Sequence, residues 1–208
     1  MQAVLPDLDE RLRGAGELYS KLCEARDSEA ARVEFWTQPG IDMRPLWFER
    51  NRLERGRILK SRPSRGEFTE EHFDSAGHRI AQLRYVDFEP GWRFEEFFVH
   101  EGENVISLAY DYHPSKTVQY CTKARMEDGL IRSFIYRDTE GWWSESYCYD
   151  SLNGRVCEVR VVQFNQMYHS DLVTAVTDLS YDARGQLFEA VTHWDSGVSE
   201  VDFARSRT

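Results

Sequence analysis

Apolar residues fall at Leu5, Leu8, Leu12, Ala15, Leu18, Tyr19 and Leu22, in steps of three and four with charges between them, the pattern of an amphipathic helix. The spacing predicts a helix over residues 7–26, with Pro6 tolerated in its first turn and Gly14 and Gly16 weakening its middle. Asp27 or Ser28 is placed to cap a second short helix running through Ala30 and Ala31 toward Phe35 and Trp36, ended by Pro39-Gly40. Residues 1–40 therefore read as a helical N-terminal segment. In residues 41–66, Trp47, Phe48, Leu53, Ile58 and Leu59 are spaced among arginines. That pattern suits a strand pair turning at Arg55-Gly56, or a solvated connector whose arginines pair with an acidic body.

From Glu67 the periodicity changes. Glycines at 77, 102, 129, 154 and 185 alternate with breakers at Pro90-Gly91, Pro114-Ser115, Gly141 and Ser196-Gly197. The segments between them are rich in aromatic and β-branched residues, as in Arg79 to Phe88, Trp92 to His100 and Arg155 to Phe164. Asn153-Gly154, Asp128-Gly129 and Asp182 to Gly185 supply the positive φ angles that tight hairpins need. Connections this short make neighbouring strands antiparallel. Residues 67–208 thus read as a β-hairpin meander. The whole is a mainly β fold: a long antiparallel up-and-down meander of about eleven strands, as a curved sheet or barrel, behind the helical segment. With 208 residues the chain fits a single domain, 1–208. Trp92, Phe94 and Phe98 point one way while Phe97 and Val99 point the other, so a sheet face has to be covered by the helix, by closure or by a partner.

Four turns share a local phrase, aromatic-Asp-x-x-Gly-x-aliphatic or close to it: Phe73 to Ile80, Tyr136 to Trp142, Tyr149 to Val156 and Tyr181 to Leu187. The phrase resembles the YD repeats of bacterial Rhs-type proteins and, more loosely, the hairpin repeats of small antitoxin or immunity proteins. The resemblance implies a role among toxins and the proteins that neutralise them.

Composition narrows the chemistry. Net charge is −10, yet Arg44 to Arg65 holds eight basic residues against Glu49 and Glu54, leaving the remainder at about −16. An acidic body repels nucleic acid and steers basic partners, and it also keeps a β protein soluble. No run of 18 apolar residues occurs, and Met1 to Asp9 lacks a signal-peptide pattern, so the expectation is a cytoplasmic protein with no membrane and no nucleic acid among its partners. Cys23, Cys121, Cys148 and Cys157 lack C-x-x-C spacing and read as free buried thiols, although Cys148 and Cys157 are placed to face each other across a hairpin.

Motifs for catalysis are missing. The six histidines are scattered, without zinc-site spacing, and there is no G-x-S-x-G, P-loop or G-x-G-x-x-G. No cofactor, metal or catalytic residue is assigned. Carboxylates at Glu70-Glu71 and Glu95-Glu96, with Asp87, Glu89, Asp111 and Glu145 on neighbouring strands, admit a glycosidase-like pair, but adjacent strand residues such as Glu95 and Glu96 point to opposite faces. Tyr110, Tyr112, Tyr120, Trp142, Trp143, Tyr147 and Tyr149 should lie on neighbouring strands. They suit core packing, the lining of a calycin-like barrel for an apolar ligand, or a partner surface, where Tyr and Trp dominate hot spots. The last reading makes Asp87, Glu89, Glu95, Glu96, Tyr110, Asp111, Tyr112, Trp142, Trp143, Glu145 and Tyr147 the partner-binding residues of a non-enzymatic immunity protein. Its partner would be a cognate protein toxin with a basic surface, occluded at its active site.

Overall fold

The computed structural model describes residues 4–86, 92–111, 116–165 and 172–204. One long helix, α1 (Leu5–Glu29), precedes the strands β1 (Arg32–Trp36), β2 (Ile58–Leu59), β3 (Phe68–Phe73), β4 (Arg79–Tyr85), β5 (Arg93–Glu101), β6 (Asn104–Asp111) and β7 (Val118–Glu127). They are followed by β8 (Leu130–Asp138), β9 (Gly141–Tyr149), β10 (Val156–Asn165), β11 (Val173–Tyr181), β12 (Leu187–Trp194) and β13 (Ser199–Ala204). A single turn, α2 (Trp47–Arg50), lies between β1 and β2. The strands pair in the order β13-β12-β11-β10-β9-β8-β7-β6-β5-β4-β3-β1-β2. Eleven strands from Phe68 onward form the up-and-down meander, as the glycine spacing predicts. Among the described residues the order ends on β13 and β2, which is an open sheet rather than the barrel alternative.

The chain divides into two compact units interleaved in sequence: unit 1 is residues 1–41, 55–123 and 137–139, and unit 2 is residues 42–54, 124–136 and 140–208. In unit 1, Leu8, Ala15 and Tyr19 form the buried stripe of α1. Tyr19 meets Phe97 and Tyr110 edge-on at 6.0 and 5.0 Å, and Tyr110 donates its hydroxyl to the Ala15 carbonyl at 2.9 Å. Arg11 to Glu101, Lys123 to Asp7 and Arg137 to Asp9 fix the outer side of the helix. Burying rings such as Phe97 contributes about 1.5–3 kcal/mol each, which outweighs the weakness of Gly14 and Gly16.

Two expectations are corrected here. Residues 32–36 form a strand, not a second helix: Val33 pairs with His72 and Phe35 with Glu70 on β3, and this ladder overrides the helical preference of the alanines before it. The basic segment is not a strand pair turning at Arg55-Gly56. Its first half is the α2 turn, while β2 adds to β1 through Trp36–Ile58 and Phe35–Leu59. Gly56 is required for a different reason, since a Cβ there would stand 2.5 Å from the Thr37 carbonyl oxygen.

The repeated turn phrase has a physical basis. Asp74 Oδ1 accepts the backbone N–H of Ala76 and His78, and Asp182 Oδ1 accepts those of Arg184 and Gln186. Gly77 and Gly185 sit at φ +85° and +74°, each donating its N–H to the aspartate's carbonyl. The aspartate closes the loop and the glycine turns it, so each hairpin sets its own register.

Candidate functional site

In unit 1 the paired acids separate as strand alternation requires. Glu95, 1% exposed, lies under α1, where Tyr19 donates its hydroxyl to one carboxylate oxygen and Arg93 Nε stands 2.7 Å from the other, with Arg26 at 3.7 Å. Burial, and then Glu95 itself, push the Tyr19 phenol far above its usual range. Glu96 faces the other side, accepting Ser107 Oγ at 2.5 Å and the Tyr120 hydroxyl at 3.3 Å. Asp111 accepts Trp92 Nε1 at 3.1 Å. On the helix side Glu70 binds His72 Nε2 at 3.0 Å and Arg62 at 3.3 Å, and these partners hold its carboxyl below the usual range against the effect of burial.

Unit 2 contains the rest of the predicted aromatic cluster. Residues 42–54 lie against β8 and β9. The Arg44 guanidinium sits 3.3 Å over the Trp47 ring and 5.3 Å from both Phe134 and Trp143, and it is held by Asp42. Trp143 also stacks with Trp47 and Tyr136 at 6.5 and 5.6 Å. Arg50 Nη2 meets Glu145 at 2.8 Å, with side-chain exposures of 7% and 4%, and Tyr147 donates its hydroxyl to the same carboxylate. Burial and Glu145 drive the Tyr147 phenol strongly upward. Farther along, Arg52 donates to the carbonyls of Val201 and Asp202, at the irregular step where β13 departs from the β12 register.

These placements correct the predicted partner surface. Glu95, Tyr110, Glu145 and Tyr147 are buried and satisfied by the chain's own groups, so they cannot present a preformed interface. Glu96, Asp111, Trp142 and Trp143 are half-buried. The unit 1 and unit 2 residues belong to different compact units. Asp87, Glu89 and Tyr112 lie outside the described residues. The arginines of the basic stretch are a correction in part: the side chains of Arg44 and Arg50, 13% and 7% exposed, pack within unit 2 rather than belonging to a solvated connector, and the signal for this was Trp47-Phe48 placed among them.

Sequence reasoning missed a different surface. The opposite face of β9–β13 in unit 2 exposes Ser146, Cys148, Arg160, Asp178, His193 and Val201. On it Glu158 stands directly across from Asp178, and Asp178 across from Val191, which pairs in turn with Val201. Arg160 Nε holds Glu158 at 2.6 Å and lowers its carboxyl's pKa, while His193 lies 3.5 Å from Asp178. Like charges directly opposite each other destabilise a sheet, and here the basic neighbours Arg160 and His193 offset that cost. Strand alternation would have identified this row once the buried face was known.

Among the described residues no group of three or more His, Cys, Asp or Glu is arranged to hold a metal ion, and no helix is long and apolar enough to cross a membrane. No protein-family model matches the chain, and neither a curated protein nor a solved structure matches it.

Proposed function

We propose that this chain is a non-enzymatic binding protein of the immunity type, which recognises a basic protein toxin through the exposed face of β10–β13. The observation that carries the reading is the exposed Asp178 standing directly opposite the half-buried Glu158, next to the half-buried Val191 and the exposed Val201. Arg160 already holds Glu158, so Asp178, 61% exposed beside His193, offers the counter-charge for a cationic partner side chain, and the valines supply the apolar contact that interface cores use. Residues 140–208 hold 11 acidic residues against 5 arginines, which steers such a partner toward this unit. The Asp-Gly turns, resembling those of Rhs-type and immunity proteins, agree with this assignment.

The test is co-expression in a bacterial host with the product of the gene encoded beside it. The wild type should protect the cells and bind that product with an association rate that falls steeply with salt. E158K/D178K should slow association by about tenfold or more while leaving the fold intact. Absence of both binding and protection would overturn the reading, as would undiminished binding by the charge-reversed variant.

A further inference from the structure

The same hairpin carries a feature that the binding reading does not use. Cys148 and Cys157 are both free and exposed, not buried as their composition-based reading expects, whereas Cys121 is buried and Cys23 half-buried. Eight residues separate the two exposed cysteines, and their approach depends on a register irregularity: Val156 pairs with Tyr149 and Glu158 with Cys148, so Cys157 is the extra residue between them. A bulge sets two residues of one strand against one of its partner, and here Cys148 faces both Cys157 and Glu158. Cys157 Sγ donates to the Cys148 carbonyl at 3.4 Å, and Cys148 Sγ donates to Glu158 Oε1 at 3.5 Å. Glu158 is the register partner of Cys148 and Cys157 stands beside it in the bulge, and the 3.4 Å from Cys157 Sγ to the Cys148 carbonyl oxygen brings the two cysteines within side-chain reach.

We propose that Cys148 and Cys157 form an exposed dithiol site that exchanges with small-molecule disulfides of the glutathione class and closes into an intrachain disulfide. The Cys157 thiolate attacks the small disulfide, forming a mixed disulfide and releasing one thiolate. Cys148 then attacks the Cys157 sulfur, closing the protein S–S bond and releasing the second. The two protons lost from the cysteines end on the two departing thiolates. The protein sulfurs lose two electrons in total, and the small disulfide gains them. The order follows from Glu158: a carboxylate beside Cys148 disfavours its thiolate, which makes Cys157 the entry point and slows the closing attack by Cys148, since exchange rates track the thiolate fraction.

The experiment is intact-mass measurement of the folded chain in glutathione buffers from reducing to oxidising, followed by peptide mapping. The wild type should become two hydrogens lighter with Cys148 linked to Cys157, and should regain them on reduction. C148S should stop at the mixed disulfide on Cys157, and E158Q should close several-fold faster than the wild type. An unchanged mass, a mixed disulfide that persists on the wild type, or linkage through Cys23 or Cys121 would each overturn the proposal.

Discussion

Replacing Arg50 by methionine isolates the energetics of the covered face of unit 2. Arg50 Nη2 lies 2.8 Å from Glu145, both side chains are more than nine-tenths buried, and Arg50 Nε has no hydrogen-bond partner. The guanidinium is therefore imperfectly satisfied, and its main effect is to neutralise Glu145. R50M leaves a buried carboxylate with the Tyr147 hydroxyl as its remaining direct partner, and removal of one member of a buried pair typically costs about 3–5 kcal/mol. For a chain of this length that lowers the melting temperature by roughly 10 °C and moves the urea midpoint down by about 1–2 M at a typical slope. R50M/E145M removes both charges and should recover most of the loss, because an apolar replacement for a buried ion pair is often neutral or better. Urea titrations followed by tryptophan fluorescence would measure both effects. A loss of under about 1 kcal/mol for R50M, or a double variant no better than the single, would refute the claim that Arg50 acts mainly as a counter-charge.

Other perturbations test other parts of the fold. Burial raises the carboxyl of Glu71, with Arg79, Gln82 and the Ile41 amide opposing. Its folded pKa lies above the unfolded value, so its favourable contribution belongs to the protonated form and fades as pH rises; measured against wild type in thermal melts, E71Q should be more stable near pH 8 than near pH 4. Gly14 and Gly16 lie mid-helix, where a Cβ added at either position would meet nothing within 4 Å, so G14A and G16A should each stabilise by about 0.5–1 kcal/mol, and no change in the urea midpoint would contradict the open environment assigned to them. D182A removes the acceptor of two backbone N–H groups and should cost about 1–2 kcal/mol, read from the urea midpoint, with D182N losing less. Burial pushes the Cys121 thiol up to about 12, so in the folded protein it should resist iodoacetamide at pH 8 and react only after unfolding.

The meander was legible because its signals are local. Asp74 and Asp182 close their loops with their own backbone, and Gly77 and Gly185 supply the required φ, so no distant contact has to be known. The helix was legible for the same reason, through the spacing of Leu8, Ala15 and Tyr19. Residues 32–36 were misread because their strand depends on β3, which follows more than thirty positions later. The site failed for a related reason. Alternation shows that Glu95 and Glu96 diverge and that Trp143, Glu145 and Tyr147 share a face, but not which face is covered. That depends on where Arg44, Trp47 and Arg50 dock, and a stretch with eight basic residues looks solvated until Trp47 and Phe48 are given weight.

The sheet order has a consequence for how the molecule assembles and diversifies. From β3 to β13 every strand pairs with its immediate neighbours in the chain, so contacts in the meander span short separations and folding can proceed hairpin by hairpin, faster than Greek-key β topologies of similar size. Loss or duplication of one complete two-strand segment leaves the direction of every remaining strand unchanged. In this architecture length is therefore an adjustable quantity, and lineages of such chains are free to differ by whole hairpins while keeping the same turns.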